Sequence, residues 1–477
     1  MMILTFILFY FLGAIFTYVS GNKFASKIAL IFSLLAFVFF IILLAPADDM
    51  VLTAPWVSSP NIQIAFYLDG LSKVMLFLTS GLAPIILLTS LKSEIDNAKT
   101  FYAFVMFMLG AMAGTFLAAD GLLYYIFWEL SLLPIFVIGL FWGNNNANDL
   151  KKSMLKFFSY TFASSLFMLA SFIYLYSKAG SFLFIDLYNI QLSYTEQFWI
   201  FLGFFFAYAV KIPIIPFHTW QAKTYTLAPM VATMLLSGIM LKMGVYSVIR
   251  WQLPIVPQAA NSLSGIVLFL SIAGVIYGSV IALKQDNLKT FLAYSSLAHV
   301  GLIAAGAYSR TFDGISGAIL QMVAHGFVIV GLFYAVQIIE KRYKTIQISE
   351  LGGIRNWAPK FTSLFILLML ASVGLPGTFN FVGEFTILYG LSTLNIWYAI
   401  FGGLSIILGA YYMLKMFQYV MLGAAFEKPF ADVTPYETFV FVLIVGTLIY
   451  FGLYPQCISQ VIEPTVTTIV NQINLVK

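Results

Sequence analysis

The sequence predicts an all-α integral membrane protein: about fourteen transmembrane helices, with two inverted five-helix repeats and discontinuous seventh and twelfth helices. Three observations predict it. Of 477 residues, 61% are hydrophobic and only 9% charged, where a soluble domain carries about 25% charged residues. Apolar runs near the length of about 20 residues that crosses a bilayer follow one another with short connections. Two of those runs are interrupted by proline and glycine beside a charged residue.

The elements follow in order. The first run, 2–20, is apolar from the second residue, with neither a basic leader nor a small-residue cleavage site, and reads as a retained span. Runs at 28–45 and 70–90 flank a segment whose Asp48, Asp49 and Asp69 read as a solvated loop face. Then come 101–118, 121–142, 154–177, 197–217, 227–249, 262–283, 288–308, 314–339, 361–390, 397–422 and 437–455. The tail 456–477 is shorter and more polar, fit to lie along the surface. The domains expected are 1–100 (the first three helices), 101–250 (first repeat), 262–422 (second, inverted repeat) and 437–477 (last span and tail).

The loops orient the bundle. Fourteen spans put both termini on one side. Sixteen Lys and Arg, among them Lys151, Lys152, Lys156, Lys341, Arg342 and Lys428, fall on the opposite side. Four (Lys178, Arg250, Arg310, Lys477) share the side of the termini. Positive charge is retained in the cytoplasm, so both termini are predicted outside. Trp142, Trp199, Trp220, Trp251 and Trp397 fall at span ends, as interfacial tryptophans do. Lys73 and Lys415, nearer span ends, are expected to snorkel. The run EKRYK at 340–344 reads as a cytoplasmic loop edge.

The interruptions suggest the repeat. Pro213 and Pro216 follow Lys211 in the seventh run; Gly374, Pro376, Gly377 and Gly383 precede Glu384 in the twelfth. Proline removes a backbone donor and clashes with the preceding turn. In lipid the freed groups need partners inside the protein. With spans four to eight and nine to thirteen as units, each break falls in the fourth helix. An odd number of helices per unit inverts the second.

Composition excludes much. One cysteine, Cys457, removes disulfides, cysteine zinc sites and iron–sulfur ligation. No phosphate-cradling glycine motif follows a strand. His218, His299 and His325 have no spacing that demands haem.

What remains is a set of ionisable groups at membrane depth: Glu129, Lys211, Lys242, His325 and Glu384. A charge there costs at least about 2.5–3.5 kcal/mol on insertion scales. Four have a plainer reading: a static Glu129–Lys211 pair between helices, a snorkelling Lys242, a merely hydrogen-bonded His325; Glu384, beside the break, is the sharpest acid. Five such groups on five spans read instead as a buried polar wire for protons or small cations. His299, among small and hydroxyl residues, is a secondary relay candidate. His218, at a span end beside Trp220, favours an interfacial place over conduction.

These residues carry a resemblance. FWELSLLP at 127–134, VKIPIIPFHTW at 210–220, LKMGVY at 241–246, YSSLAHVG at 294–301, VAHGF at 323–327 and GLPGTFNFVGEF at 374–385 resemble the antiporter-type proton-pumping subunits of respiratory complex I. The resemblance covers roughly 65–425. A glutamate on the twelfth span, where other branches usually have lysine, separates the branches. In HTWQAKTYTLAP many relatives carry an acid in mid-loop; here Lys223 stands nearby.

The resemblance implies proton transfer by Glu129 and Lys211 as a coupling pair, Lys242 as the central lysine, His325 as relay and Glu384 as terminal acid. It implies an NADH:quinone oxidoreductase subunit in a bacterial inner membrane, with L- and N-type chains as neighbours. This chain would bind no cofactor or metal; NADH, flavin, iron–sulfur clusters and quinone belong to partner subunits. A cation/proton antiporter or hydrogenase membrane subunit, and a structural membrane anchor, are the alternatives.

Overall fold

The computed structural model describes residues 1–45, 49–58, 62–143, 147–424 and 429–474. Asp48, Lys428 and Lys477 lie outside the described residues. In chain order the elements are α1 (Met2–Val19), α2 (Ala25–Leu44), β1 (Met50–Val57), β2 (Ile62–Leu68), α3 (Gly70–Ser90), α4 (Ala98–Leu117), α5 (Gly121–Trp142), α6 (Ala147–Ala179), α7 (Phe184–Tyr188), α8 (Tyr194–Lys211) and α9 (Gln221–Leu227). Then α10 (Met230–Leu235), α11 (Leu241–Ser247) and α12 (Leu253–Ile255) form one rod through π-helical segments Leu236–Met240 and Val248–Gln252. They are followed by α13 (Pro257–Ala282), α14 (Leu288–Tyr308), α15 (Phe312–Tyr343), α16 (Ile354–Trp357), α17 (Pro359–Ser372), α18 (Phe379–Leu394), α19 (Ile396–Phe417), α20 (Pro435–Leu453) and α21 (Gln456–Asn474).

Among the described residues, 12 helical stretches are long and apolar enough to cross a membrane. The seventh and twelfth places hold α8, 18 residues with Thr195, Glu196 and Gln197 at its start and Lys211 at its end, and the shorter pair α17/α18. The helices show where lipid would lie: Leu8, Phe167, Phe269, Ile407 and Phe439 are large, apolar and exposed. Apolar surface of that extent is stable only against lipid or another protein. The rod α10–α12 is the opposite case, buried along its whole length.

Side chains start the helices where the sequence turns polar. Asp120 accepts from the Leu122 and Leu123 amides, and Asn287 from those of Lys289 and Thr290. Ser193–Glu196 and Thr434–Glu437 form capping boxes at α8 and α20. Each satisfies amides that a helix start leaves unpaired.

The segment before α3 departs from expectation. It is an antiparallel hairpin, β1 on β2, with Met50 opposite Leu68. Of the two acids described there, Asp49 is exposed and Asp69 is buried, and the latter's partner Arg250 is buried too rather than in a loop. Hairpin, α7 and α21 close over both groups. Thr465 on α21 accepts from the Gly70 amide, and Gln472 donates to the Tyr188 carbonyl. The tail is thus an amphipathic helix, burying Ile458, Ile462, Val466, Ile469 and Ile473 along one face.

Three further readings change. Lys73 is buried, so it does not snorkel. Trp220 and Trp251 are buried rather than interfacial, while Trp199 and Trp397 are exposed. The 340–344 edge is held in place: Arg342 reaches Glu437 at 2.7 Å and the Asp432 carbonyl at 3.2 Å, and Glu340 lies 3.6 Å from buried Lys289.

Candidate functional site: a buried row of ionisable groups

Lys211 is the last residue of α8. The chain then leaves the helix through Ile212–Thr219, with Pro213 and Pro216 inside the turn. The Trp220 indole donates to the Val210 carbonyl at 2.9 Å, satisfying backbone that the break exposes. α11 presses against this break because residue 244 is glycine. A Cβ there would meet Ile212 Cγ1 at 2.5 Å and Lys211 Cβ at 3.3 Å.

The Lys211 ammonium is buried and has no hydrogen-bond partner among the described residues. It lies over the Trp128 ring, 4.8 Å from the centroid. Glu129, the next residue of α5, is an electrostatic neighbour of Lys211, but the two make no ion pair within 4.0 Å. One Glu129 oxygen is buried with no hydrogen-bond partner among the described residues. Pair and ring together form a loose cluster: an ammonium held against an aromatic face with a carboxylate near by.

Lys242 is more tightly held. The π-helical turn at Leu236–Met240 shifts the hydrogen-bond register, and the Lys242 ammonium donates to the Ser237 carbonyl at 2.5 Å. Such bulges are frequent at functional sites. Its other contact is His325 Nδ1 at 2.9 Å. The His325 and His299 rings stand 5.7 Å apart, centroid to centroid. His299 Nδ1 lies 3.0 Å from Glu384 Oε1, which also accepts from Gln321 Nε2 at 3.1 Å. Lys242, His325, His299 and Glu384 thus form one buried row across α11, α15, α14 and α18.

Backbone geometry makes the row possible. Gly374 has φ +72° and Gly377 φ +89°, left-handed conformations that favour glycine. They separate α17 from α18 and leave Glu384 Oε2 beside Gly374. Gly383 lets α18 lie against α15: a Cβ there would come within 2.5 Å of Gln321 Oε1 and 2.8 Å of its amide.

The five primary candidates therefore fall in two groups, Glu129 with Lys211, and Lys242 with His325 and Glu384. His299, only a secondary candidate, bridges the second group. His218 stands apart, its ring 5.1 Å from Tyr277 and Lys156 its charged neighbour. The Asp69–Arg250 pair escaped the sequence reading. Both carboxylate oxygens accept from Arg250 Nη2 at 2.6 Å, and the guanidinium packs among Tyr67, Phe184 and Tyr246. Among the described residues no group of three or more His, Cys, Asp or Glu is arranged to hold a metal ion.

Chemically, the row offers exchangeable protons at nearly every step. Lysine donates to an imidazole, and a second imidazole touches a carboxylate. Groups this close feel one another's charge, so a proton moved at one changes the field at the next.

Comparison with known proteins gives the family of the chain. The NADH-quinone oxidoreductase subunit M of Rickettsia conorii is 36% identical over 471 residues, covering 95% of this chain and 94% of that protein. The NADH-ubiquinone oxidoreductase chain 4 of Arabidopsis thaliana is 32% identical, over 87% of this chain and 84% of the relative. A chain of respiratory complex I from Thermus thermophilus with bound NADH superposes with a TM-score of 0.92 at 27% identity, covering 99% of this chain and 100% of its own. The family described as NADH:quinone oxidoreductase/Mrp antiporter, TM, matches residues 118–449, which include both breaks and every group of the row. This multi-span membrane chain belongs to that family.

Proposed function

We propose that the chain is a membrane subunit of a proton-pumping NADH:quinone oxidoreductase, and that it passes protons through its buried Glu/Lys/His axis while electrons move in other subunits. One observation carries the reading: Lys242, His325, His299 and Glu384 are buried and linked by contacts of 2.9 and 3.0 Å around one 5.7 Å ring step. Burying four ionisable groups is a costly way to pack helices.

In this reading α8 and α17/α18 also cross, giving fourteen spans. Residues 101–250 and 262–422 are the inverted repeats, between 1–100 and 437–477. The sixteen basic residues mark the cytoplasmic face of a bacterial inner membrane. The chain holds no redox centre; NADH, flavin, iron–sulfur clusters and quinone belong to partners, with L- and N-type chains beside it in the membrane. Glu129 and Lys211 open and close as a pair, with Trp128 holding the lysine when open. Lys242 receives the charge step, and His325 and His299 relay it to Glu384.

A cation/proton antiporter subunit is the second reading, favoured by a family that also spans antiporters. Purification decides between them: flavin and iron–sulfur subunits co-purify only in the first case. The test of conduction is Glu384→Gln in the assembled complex in sealed vesicles. Pumping and coupled quinone reduction should fall, while NADH oxidation by an artificial acceptor, which bypasses the membrane arm, stays largely intact. Pumping at the native rate would remove Glu384 as an obligatory site.

A further inference from the structure

The row accounts for Glu384 but not for the hydroxyls that lead away from it. α19 turns Tyr412 and Ser405 inward, two turns apart, and both are buried. The Tyr412 hydroxyl lies 3.0 Å from Ser295 Oγ. Ser295 sits on α14 one turn before His299, the residue that touches Glu384. Between them Ser296 Oγ is fully buried with no hydrogen-bond partner among the described residues, and Ser405 Oγ is likewise unpartnered. Glu384 is among the charges that act on the Tyr412 hydroxyl. Unsatisfied hydroxyls in a membrane interior are costly unless something polar visits them.

Tyr412 also lines a cavity of about 320 Å³. The cavity opens on the face of the basic loops, bounded by Lys284, Gln285, Ser349, Lys415 and Tyr419. That volume admits several waters, each of which takes about 30 Å³ in the liquid. The Phe291 ring, also on the cavity wall, stands edge-on to Tyr412 at 5.6 Å. Asp286 is engaged by the Ser349 amide and hydroxyl, which hold the cavity's rim.

We propose that this cavity is a proton intake serving Glu384 directly, in which the Tyr412 and Ser295 hydroxyls pass protons from water on the basic-loop face to the His299–Glu384 pair. The inference rests on the translocation reading above. In each hop an O–H bond forms on the cavity side of a hydroxyl as the O–H bond on its far side breaks. At His299 an N–H bond forms on Nε2 as the one on Nδ1, beside Glu384 Oε1, breaks. Hydroxyls and imidazole end neutral, nothing is oxidised or reduced, the hydronium that gave the proton is left as water, and the Glu384 carboxylate ends protonated. The second unit then fills from its own side as well as along the row from Lys242.

The experiment uses the assembled complex in sealed vesicles. Tyr412→Phe keeps the ring and deletes the hydroxyl; Ser295→Ala breaks the next step. Each should lower pumping several-fold while NADH oxidation by an artificial acceptor is unchanged. A third variant, Lys415→Cys with Cys457→Ser, is compared with itself before and after an impermeant methanethiosulfonate is added from the basic-loop face. Filling the cavity should slow pumping in a protein already folded, which a purely structural role for Tyr412 would not predict. Suppose Glu384→Gln abolishes pumping while Tyr412→Phe, Ser295→Ala and the blocked cavity all pump at native rates. The intake is then overturned and translocation through the row stands. If Glu384→Gln itself pumps normally, the translocation reading fails and the intake falls with it.

Discussion

At the scale of single residues, the chain keeps its buried charges in two different ways. Lys211 and Glu129 are loosely held, near each other but without direct contact, so small shifts change their pairing. Asp69 and Arg250 are saturated: two bonds of 2.6 Å, an amide of α3 on the same carboxylate, and three aromatic rings around the guanidinium. Such a pair is not poised to switch. Removing one partner leaves an uncompensated buried charge, which costs about 3–5 kcal/mol. Asp69→Asn or Arg250→Gln should therefore lower the thermal unfolding temperature of the purified protein and its level in membranes. The double change Asp69→Leu with Arg250→Leu should recover part of the loss, because replacing both charges by apolar groups is often close to neutral. A double variant no more stable than the worse single one would contradict that account.

At the scale of elements, the row depends on how closely α15 and α18 approach. Gln321 and Glu384 can meet only because Gly383 puts no side chain between them. Gly383→Val should push α18 away, lower the amount of assembled protein and reduce pumping in what remains. Gly446→Ala on α20, where a new Cβ meets nothing within 4 Å, should leave both unchanged; quantitative immunoblots of membranes and a pumping assay read the contrast. The same contacts explain what the sequence revealed. Mid-span charges announce themselves, since their cost in lipid is a property of one segment. The breaks at Pro213 and Gly374 are equally local. The bridging place of His299 is not, because it arises from three helices brought together by glycines far apart in the chain. The Asp69–Arg250 pair was hidden for a related reason. Each residue ends an apolar run, where hydropathy points to solvent, and it is the hairpin and α21, distant in sequence, that exclude water from them. The π-helical turn before Lys242 left no trace in LSGIM that distinguishes it from ordinary α-helix.

At the scale of the whole molecule, alternating helices sort the polar features onto two faces. One holds the hairpin, α7, α21 and the Asp69–Arg250 pair. The other holds Lys156 on the Thr219 carbonyl, Asp286 on Ser349, and Arg342 on Glu437. Basic residues are concentrated on the second, and positive loops stay in the cytoplasm during insertion. The first face should therefore be external. The chain carries its own reporter: Cys457, the single cysteine, is exposed at the start of α21. An impermeant maleimide should label it in right-side-out vesicles and not in inside-out ones. With Cys457→Ser as background, Lys152→Cys should show the reverse. Labelling of Lys152→Cys from the outside would invert the assignment of faces, and with it the direction in which Glu384 is filled and emptied. Labelling of both sites from one side would go further. It would mean an odd number of crossings between residues 152 and 457 is wrong, and the fourteen-span topology would have to lose or gain a helix between them.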